Sequence, residues 1–469
     1  MKSPLCSLLL SLVLSTLPAI LFAQPRTLVA DPLLQERIYR YLVAHEVNND
    51  FMGEVLVADS ERILARVLVG MADIESGRPH RPGDVYGVAS VTKQFTGAAI
   101  ALLVSRGVLS LDDSVADWLP TFTTRVSGME HVTIRMLAQQ EAGVPDYNDF
   151  PDYAQFSRRQ VNLDEVLDWI AQNTSSISPG TGYDYSNSHF AILARIIEEA
   201  SGESYRQFMR EHIFNPAGML SSGHYRAEEI VMQRVSLYDP GQHGDLVNAP
   251  VLDNSMKLGS GSLYTTADDL LSWHRSLLKE RVLNAQTQEL YLEPSGERYA
   301  MGVGVRMDAL SNQLITDHDG KAPGIAAYYK RWLGDGKVLI LLSNVNSGVL
   351  NQMKSDLSHL IAGEEVAMPQ KREYREIEKA LLTEAPGNYL FPPTTPIRIA
   401  QELDGLSLYW RESGLVQHLA PLADSDWFLM GSRGDKVRFH RNPDGEIDGM
   451  EYDWGGGFEF CPLQKRSVR

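Results

Sequence analysis

The chain has 469 residues and a formal charge of −17, with 60 acidic side chains against 43 basic ones. So acidic a surface gains nothing from a polyanion, which argues against nucleic acid or an anionic membrane as a partner. The length exceeds what one hydrophobic core usually holds, so two folded units are expected, with apolar residues enough for both.

Met1-Lys2, an apolar stretch from Leu5 to Phe22 and the ending Leu21-Phe22-Ala23-Gln24-Pro25 have the form of a secretory signal peptide cut after Ala23. The alternative is an uncleaved anchor, because the run is just long enough to span a thin bilayer. Cleavage implies a periplasmic or secreted protein with no stable membrane span. Cys6 leaves with the signal, so Cys461 stands alone and no internal disulfide forms. A lone cysteine and twelve scattered histidines offer no metal-binding spacing, so neither metal nor cofactor is expected.

Leu33 to His45 has a helical pattern, with apolar Leu34, Ile38, Leu42 and Val43. Phe51–Ala58 and Ile63–Gly70 read as a hairpin around the polar turn Asp59–Arg62. The stretch Gly87 to Ile100 reads as a helix start, and its apolar run continues to Val104. Ser90 and Lys93, three residues apart on one face, have Cβ atoms about 5–6 Å apart, within reach of an amine–hydroxyl contact. Serine needs such a base to act as a nucleophile. Lysine serves when burial brings its amine down from about 10.4. A capping serine followed by a surface lysine has the same pattern.

Residues 94 to 240 are mostly helical. Thr133 to Gly143 reads as a short helix stopping at Gly143, and Leu163 to Gln172 as another. Tyr185 and Asn187, in Tyr183-Asp184-Tyr185-Ser186-Asn187, precede a helix from Ala191 to Ala200. If extended, the two face one way and can enter a common cleft. An aromatic and a polar residue capping a helix is the other reading. Met256 to Tyr264 is read as a loop, because Ser260 and Ser262 lack the strand–turn–helix setting of a nucleophile elbow. Asp268 to Leu278 is a helix. Three β-rich runs follow, at Tyr299–Arg306, Leu314–His318 and Ile325–Leu333, joined by turns at Gly320 and near Gly324. Lys337–Ser343 is a buried strand.

The ordered set Ser90-Val91-Thr92-Lys93, Tyr185-Ser186-Asn187 and His318-Asp319-Gly320 resembles the serine β-lactamase and penicillin-binding family. It is most similar to the branch holding class C β-lactamases, D-Ala-D-Ala carboxypeptidases, D-aminopeptidases and esterases. The resemblance covers about residues 30 to 362 and implies an α/β fold, an antiparallel sheet against a helical lobe with the site between them. It further implies Ser90 as nucleophile and Lys93 with Tyr185 as coupled base and acid. Asn187 would position Lys93 and substrate, with His318 in place of the family's third-motif lysine. The backbone N–H groups of Ser90 and of Lys321, after Gly320, would form the oxyanion hole. Gln140-Glu141-Ala142-Gly143 departs from the family's His-Thr-Ser-Gly. Asp319 departs from a threonine or serine, and a carboxylate facing the cleft would repel a substrate carboxylate.

From Met368 the composition changes. Lys371 to Lys379 is a charged, solvated linker or helix, and after Pro386 come short alternating strands: Ile397–Ala400, Leu406–Trp410, Trp427–Met430, Val437–His440 and Ile447–Tyr452. They resemble the lipocalin-like accessory domain of some D-aminopeptidases and esterases. The expected organisation is a signal peptide at 1–23, a hydrolase domain at 30–365, a linker at 366–380 and a small β-barrel domain at 381–469. The function implied is a serine hydrolase acting on a peptide, β-lactam or other small-molecule amide or ester. A slowly acylated binding or sensor protein is the alternative, and the oligomeric state is left open.

Overall fold

The computed structural model describes residues 29–464, apart from short stretches at 227, 242–243, 297, 393–394, 403–404, 411–415, 431–434 and 454–456. The signal-peptide reading therefore lies outside the described residues. Among these, no helix is long and apolar enough to cross a membrane.

A six-stranded antiparallel sheet organises the larger part. Its strands are β1 (Gly53–Ala58), β2 (Ile63–Val69), β3 (Gly304–Asp308), β4 (Gln313–Ala322), β5 (Ile325–Trp332) and β6 (Lys337–Ser343), in the order β3-β4-β5-β6-β1-β2. Strands from both ends of the chain thus meet at β1 and β6, with Gly53 opposite Ser343. The helices that matter are α1 (Pro32–Glu46), α2 (Lys93–Ser105), α3 (Asn187–Ser201), α4 (Ala267–Leu278) and α5 (Leu350–Ile361). Strand alternation divides the core. Val55 and Val57 face α1 and α5, whereas Leu56 and Ala58 face the helical lobe with α2, α3 and α4.

Four expectations change. The helix after Thr133 ends at Ala138, five residues early, because Gln140 adopts φ +63°, outside helical space. Helix α3 begins at Asn187, four residues before the expected Ala191, because the Ser186 side chain caps it by accepting from Ser188 N. Gly320 is no turn: β4 runs straight through it to Ala322, and the reversal falls at Gly324, whose φ is +66°. The first β-rich run also shortens, to Gly304–Asp308.

The C-terminal part is a closed antiparallel barrel of eight strands in sequence order, from Gly387–Phe391 to Phe458–Gln464. It includes Val416–Pro421 and Phe458–Gln464, which the sequence reading did not separate. Tyr389, Leu408, Phe428, Met430 and Met450 are buried in its core. The stretch expected as a solvated linker is tied down at two of its residues, Arg372 and Tyr374. Arg372 pairs with Asp50, its N–H donates to Asn48 Oδ1 at 2.7 Å, and Tyr374 packs on Gly244 so closely that a Cβ there would stand 1.9 Å from the ring.

Candidate active site

Ser90 lies in a 3-10 turn, Ala89–Thr92, that feeds α2. Ala89 holds φ +44°, a conformation unusual for a residue with a Cβ. Thr92 Oγ1 donates to Ala89 O (2.6 Å) and accepts from Leu263 N (3.1 Å), so the turn is held from both sides. The turn rests against β4. Strand β3 pairs with β4 only as far as Asp317, so among the described residues His318 to Ala322 are paired on one side only, with β5. This edge meets the serine turn at Gly320, where a Cβ would stand 2.0 Å from Val88 O and 3.0 Å from Ser90 N. Lys321 follows directly on the same edge.

Two side chains meet Ser90 Oγ: Tyr185 Oη donates to it at 2.8 Å, and Lys93 Nζ lies within hydrogen-bond distance at 3.1 Å. Lys93 is fully buried and also donates to Asn187 Oδ1 (2.6 Å) and Ser260 O (2.9 Å). Burial lowers its amine to about 7; Lys257 pushes the same way, while Asp146 and Asp319 oppose it. Tyr185 moves in the other direction, its hydroxyl held well above the usual phenol range by burial. Two titratable groups on one oxygen are thus driven apart, the amine towards a base and the phenol towards a proton donor.

His318 is on the same face of β4 as Gly320. Its Nδ1–H donates to Asp319 O (2.6 Å) and its Nε2 accepts from Tyr299 Oη (3.1 Å). Burial and the nearby Lys93 lower its pKa, so it is neutral at pH 7. Tyr185, Tyr299 and Tyr183 line the cleft beside it, with Tyr183 57% exposed at the mouth.

Asp319 points to the opposite face of the strand, where Lys354 of α5 donates to its Oδ2 at 2.8 Å. The repulsion expected from a cleft-facing carboxylate is therefore removed by geometry and by pairing. Asp319→Thr is expected to give no gain in kcat/KM for carboxylate-bearing over neutral substrates, measured on matched peptide acids and amides.

The Gln140 departure also finds a role. Gln140 Oε1 accepts from Ser186 N (2.9 Å) and from His189 Nδ1 (2.6 Å), while its carbonyl accepts from Asp184 N (2.7 Å). It brackets Tyr185 from both sides. His189 Nε2 accepts from Val144 N, and burial takes its pKa to about 3, so it is a neutral strut.

Ser260, read as a loop residue and not as a nucleophile, contributes its carbonyl to Lys93, and its Oγ meets Tyr147 Oη at 2.6 Å. Sequence reasoning missed Asp146, Tyr299 and Lys257 as parts of the site, and noted Gln140 only as a departure from the family's motif. Lys257 falls in a stretch that reads as a loop and Tyr299 at the start of a β-rich run, so no local pattern marks them. Lys257 is half-buried, its side chain 3.6 Å from where a Gly261 Cβ would stand.

A mixed sheet–helix fold with a serine turn against a one-sided strand edge defines a β-lactamase or penicillin-binding type of protein. The chain belongs to the beta-lactamase family, whose model matches residues 51–362. It is a serine hydrolase. It is 27% identical over 407 residues to penicillin-binding protein 4* of Bacillus subtilis, covering 81% of this chain and 88% of that one. It is 26% identical over 282 residues to a D-aminopeptidase of Brucella anthropi, covering 58% of this chain and 52% of that one, so it spans about half of that relative. Among solved structures, D-amino acid amidase from Ochrobactrum anthropi SV3 matches with a TM-score of 0.61 at 20% identity, covering 70% of this chain and 99% of the amidase. An octameric penicillin-binding protein homologue from Pyrococcus abyssi matches with a TM-score of 0.61 at 19% identity, over 92% of this chain and 99% of the homologue.

Proposed function

We propose that this chain is an exported hydrolase, periplasmic or secreted, that cleaves amide bonds of peptide or β-lactam substrates through an acyl-enzyme on Ser90. The observation that carries the reading is the convergence of a buried amine and a protonated phenol on Ser90 Oγ. Neutral Lys93 takes the Ser90 proton as Oγ bonds to the substrate carbonyl carbon. The oxyanion then faces the backbone N–H groups of Ser90 and Lys321, donors typically worth a few kcal/mol each. The carbon–nitrogen bond breaks as the leaving amine takes a proton from Tyr185, which recovers one from the Lys93 ammonium. Water repeats the sequence to free the acid. The printed names of the relatives, penicillin-binding proteins and enzymes acting on D-amino acid substrates, support this choice of bond.

The test is an intact-mass time course with a penicillin, run beside D-phenylalanine amide hydrolysis, for the native protein and Ser90→Ala. The expected result is a penicillin adduct, amide turnover or both in the native protein, and neither in Ser90→Ala at unchanged melting temperature. A persistent adduct without amide turnover points to a penicillin-binding sensor. Turnover of an aryl ester alone points to a carboxylesterase. Unchanged turnover in Ser90→Ala refutes the nucleophile.

A further inference from the structure

Asp146 lies in the segment between the Ala138 helix end and the 3-10 turn Tyr147–Asp149, and no motif in the sequence drew attention to it. One carboxylate oxygen accepts from Asn148 N at 3.0 Å and the other from Asn187 Nδ2 at 2.8 Å. A carboxylate only accepts, so it dictates how the Asn187 amide is turned: NH₂ towards Asp146, carbonyl oxygen towards Lys93. The consequence falls on the amine. Lys93 Nζ has three neighbours, and two of them, Asn187 Oδ1 and Ser260 O, are pure acceptors. A neutral amine has two protons and one lone pair. With both protons committed to those two oxygens, the lone pair is left for Ser90 Oγ. Were Asn187 turned the other way, its NH₂ would take the lone pair and Ser90 would face an N–H.

We propose that Asp146 is a positioning residue that, through the orientation of the Asn187 amide, directs the Lys93 lone pair at the Ser90 hydroxyl. The inference rests on the reading of Ser90 as nucleophile and Lys93 as base. The charge of Asp146 also favours protonated Lys93, as does that of Asp319 on the far face of β4, while Lys257 from the Asn254–Lys257 turn opposes it; His318 of β4 and Tyr185 ahead of α3 are the other titratable groups near the amine. Loss of the Asp146 charge therefore makes Lys93 less basic.

In Asp146→Asn, the new amide oxygen stays with Asn148 N and the new NH₂ faces Asn187, which must flip to present its oxygen. Acylation of Ser90, followed by adduct mass, is expected to slow about a hundredfold, within the range for losing a general base. Its acid limb should move down by about one pH unit, the low end of what a neighbouring opposite charge contributes. The swapped double variant Asp146→Asn with Asn187→Asp restores an acceptor opposite Lys93 and an NH₂ to hold it. It should recover at least tenfold of the loss, with the limb shifted up past its native position. A purely structural role predicts no such rescue. If Asp146→Asn does not fold by circular dichroism, the swapped variant compared with Asn187→Asp alone carries the same test, since only the swap keeps the amide–carboxylate pair. Rescue with the shifted limb supports the proposal. An unmoved rate and limb, or a swap no better than its parent variant, overturns it while leaving Ser90 acylation standing. Absence of a Ser90 adduct in the native protein overturns the functional reading as well.

Discussion

Replacing Lys93 by methionine is expected to slow acylation of Ser90 by about 10²–10⁴-fold, the span associated with a positioned general base. The measurement is the rate of adduct formation with a penicillin or an activated ester, and the loss should not be recovered by raising the pH. Methionine is close to lysine in length and suits a site with no solvent exposure, so a collapsed pocket is not expected. Stability should move the other way. Lysine in the unfolded chain titrates near 10.4, whereas in the fold Lys93 titrates at about 7. Between those values the unfolded chain holds a proton that the native protein lacks, so native stability rises with pH across that window. The burial penalty is fully present below pH 7 and gone above the unfolded value. The variant escapes it but leaves Asn187 Oδ1 and Ser260 O without their lysine donor. Thermal melts should therefore show the variant's advantage largest below pH 7, shrinking steadily towards pH 10. A native melting temperature flat over that range would mean that Lys93 keeps its proton, and would remove it as the base.

Gly320→Ala is expected to cost about 10²–10³-fold in kcat, the scale of a lost oxyanion donor. The added Cβ would stand 2.0 Å from Val88 O, a backbone atom with no room to swing aside. Strand β4 must then withdraw from the serine turn, carrying Lys321 out of line with Ser90 N. Overpacking of this kind typically costs about 1–3 kcal/mol, so the protein should still fold with a lowered melting temperature. Lys93 keeps its partners on α3 and at Ser260, so the acid limb of the pH profile should stay where it is. That separates this variant from the Lys93 and Asp146 ones, which disturb the base. Wild-type kcat in Gly320→Ala would show that the β4 edge does not serve the reaction.

Ser90, Lys93, Tyr185, Asn187, His318 and Gly320 were all singled out from sequence, and the fold brings them to one cleft. They were legible because each sits in a short motif whose spacing is set locally, by one turn of helix or by alternation along a strand. The hairpin Gly53–Val69, the strand Lys337–Ser343 and the barrel strands were legible for the same reason: period-two patterning states which residues share a face.

What the sequence by itself determined is the inventory: a serine and amine one turn apart, a phenol and amide, a glycine on a strand, and a second unit of short strands. The tertiary structure alone decided how they act. Whether Lys93 is a base depends on burial by α3 and the Ser260 loop, which come from residues about 94 and 167 positions away. Whether Asp319 repels a substrate depends on Lys354 of α5 on the far side of the sheet. Gln140 reads as part of a helix running to Gly143 and Asp146 draws no reading, because their bonds to Ser186 and Asn187 exist only after folding. Desolvation and charge are sums over everything packed around a group, so they belong to the fold and to no stretch of the chain.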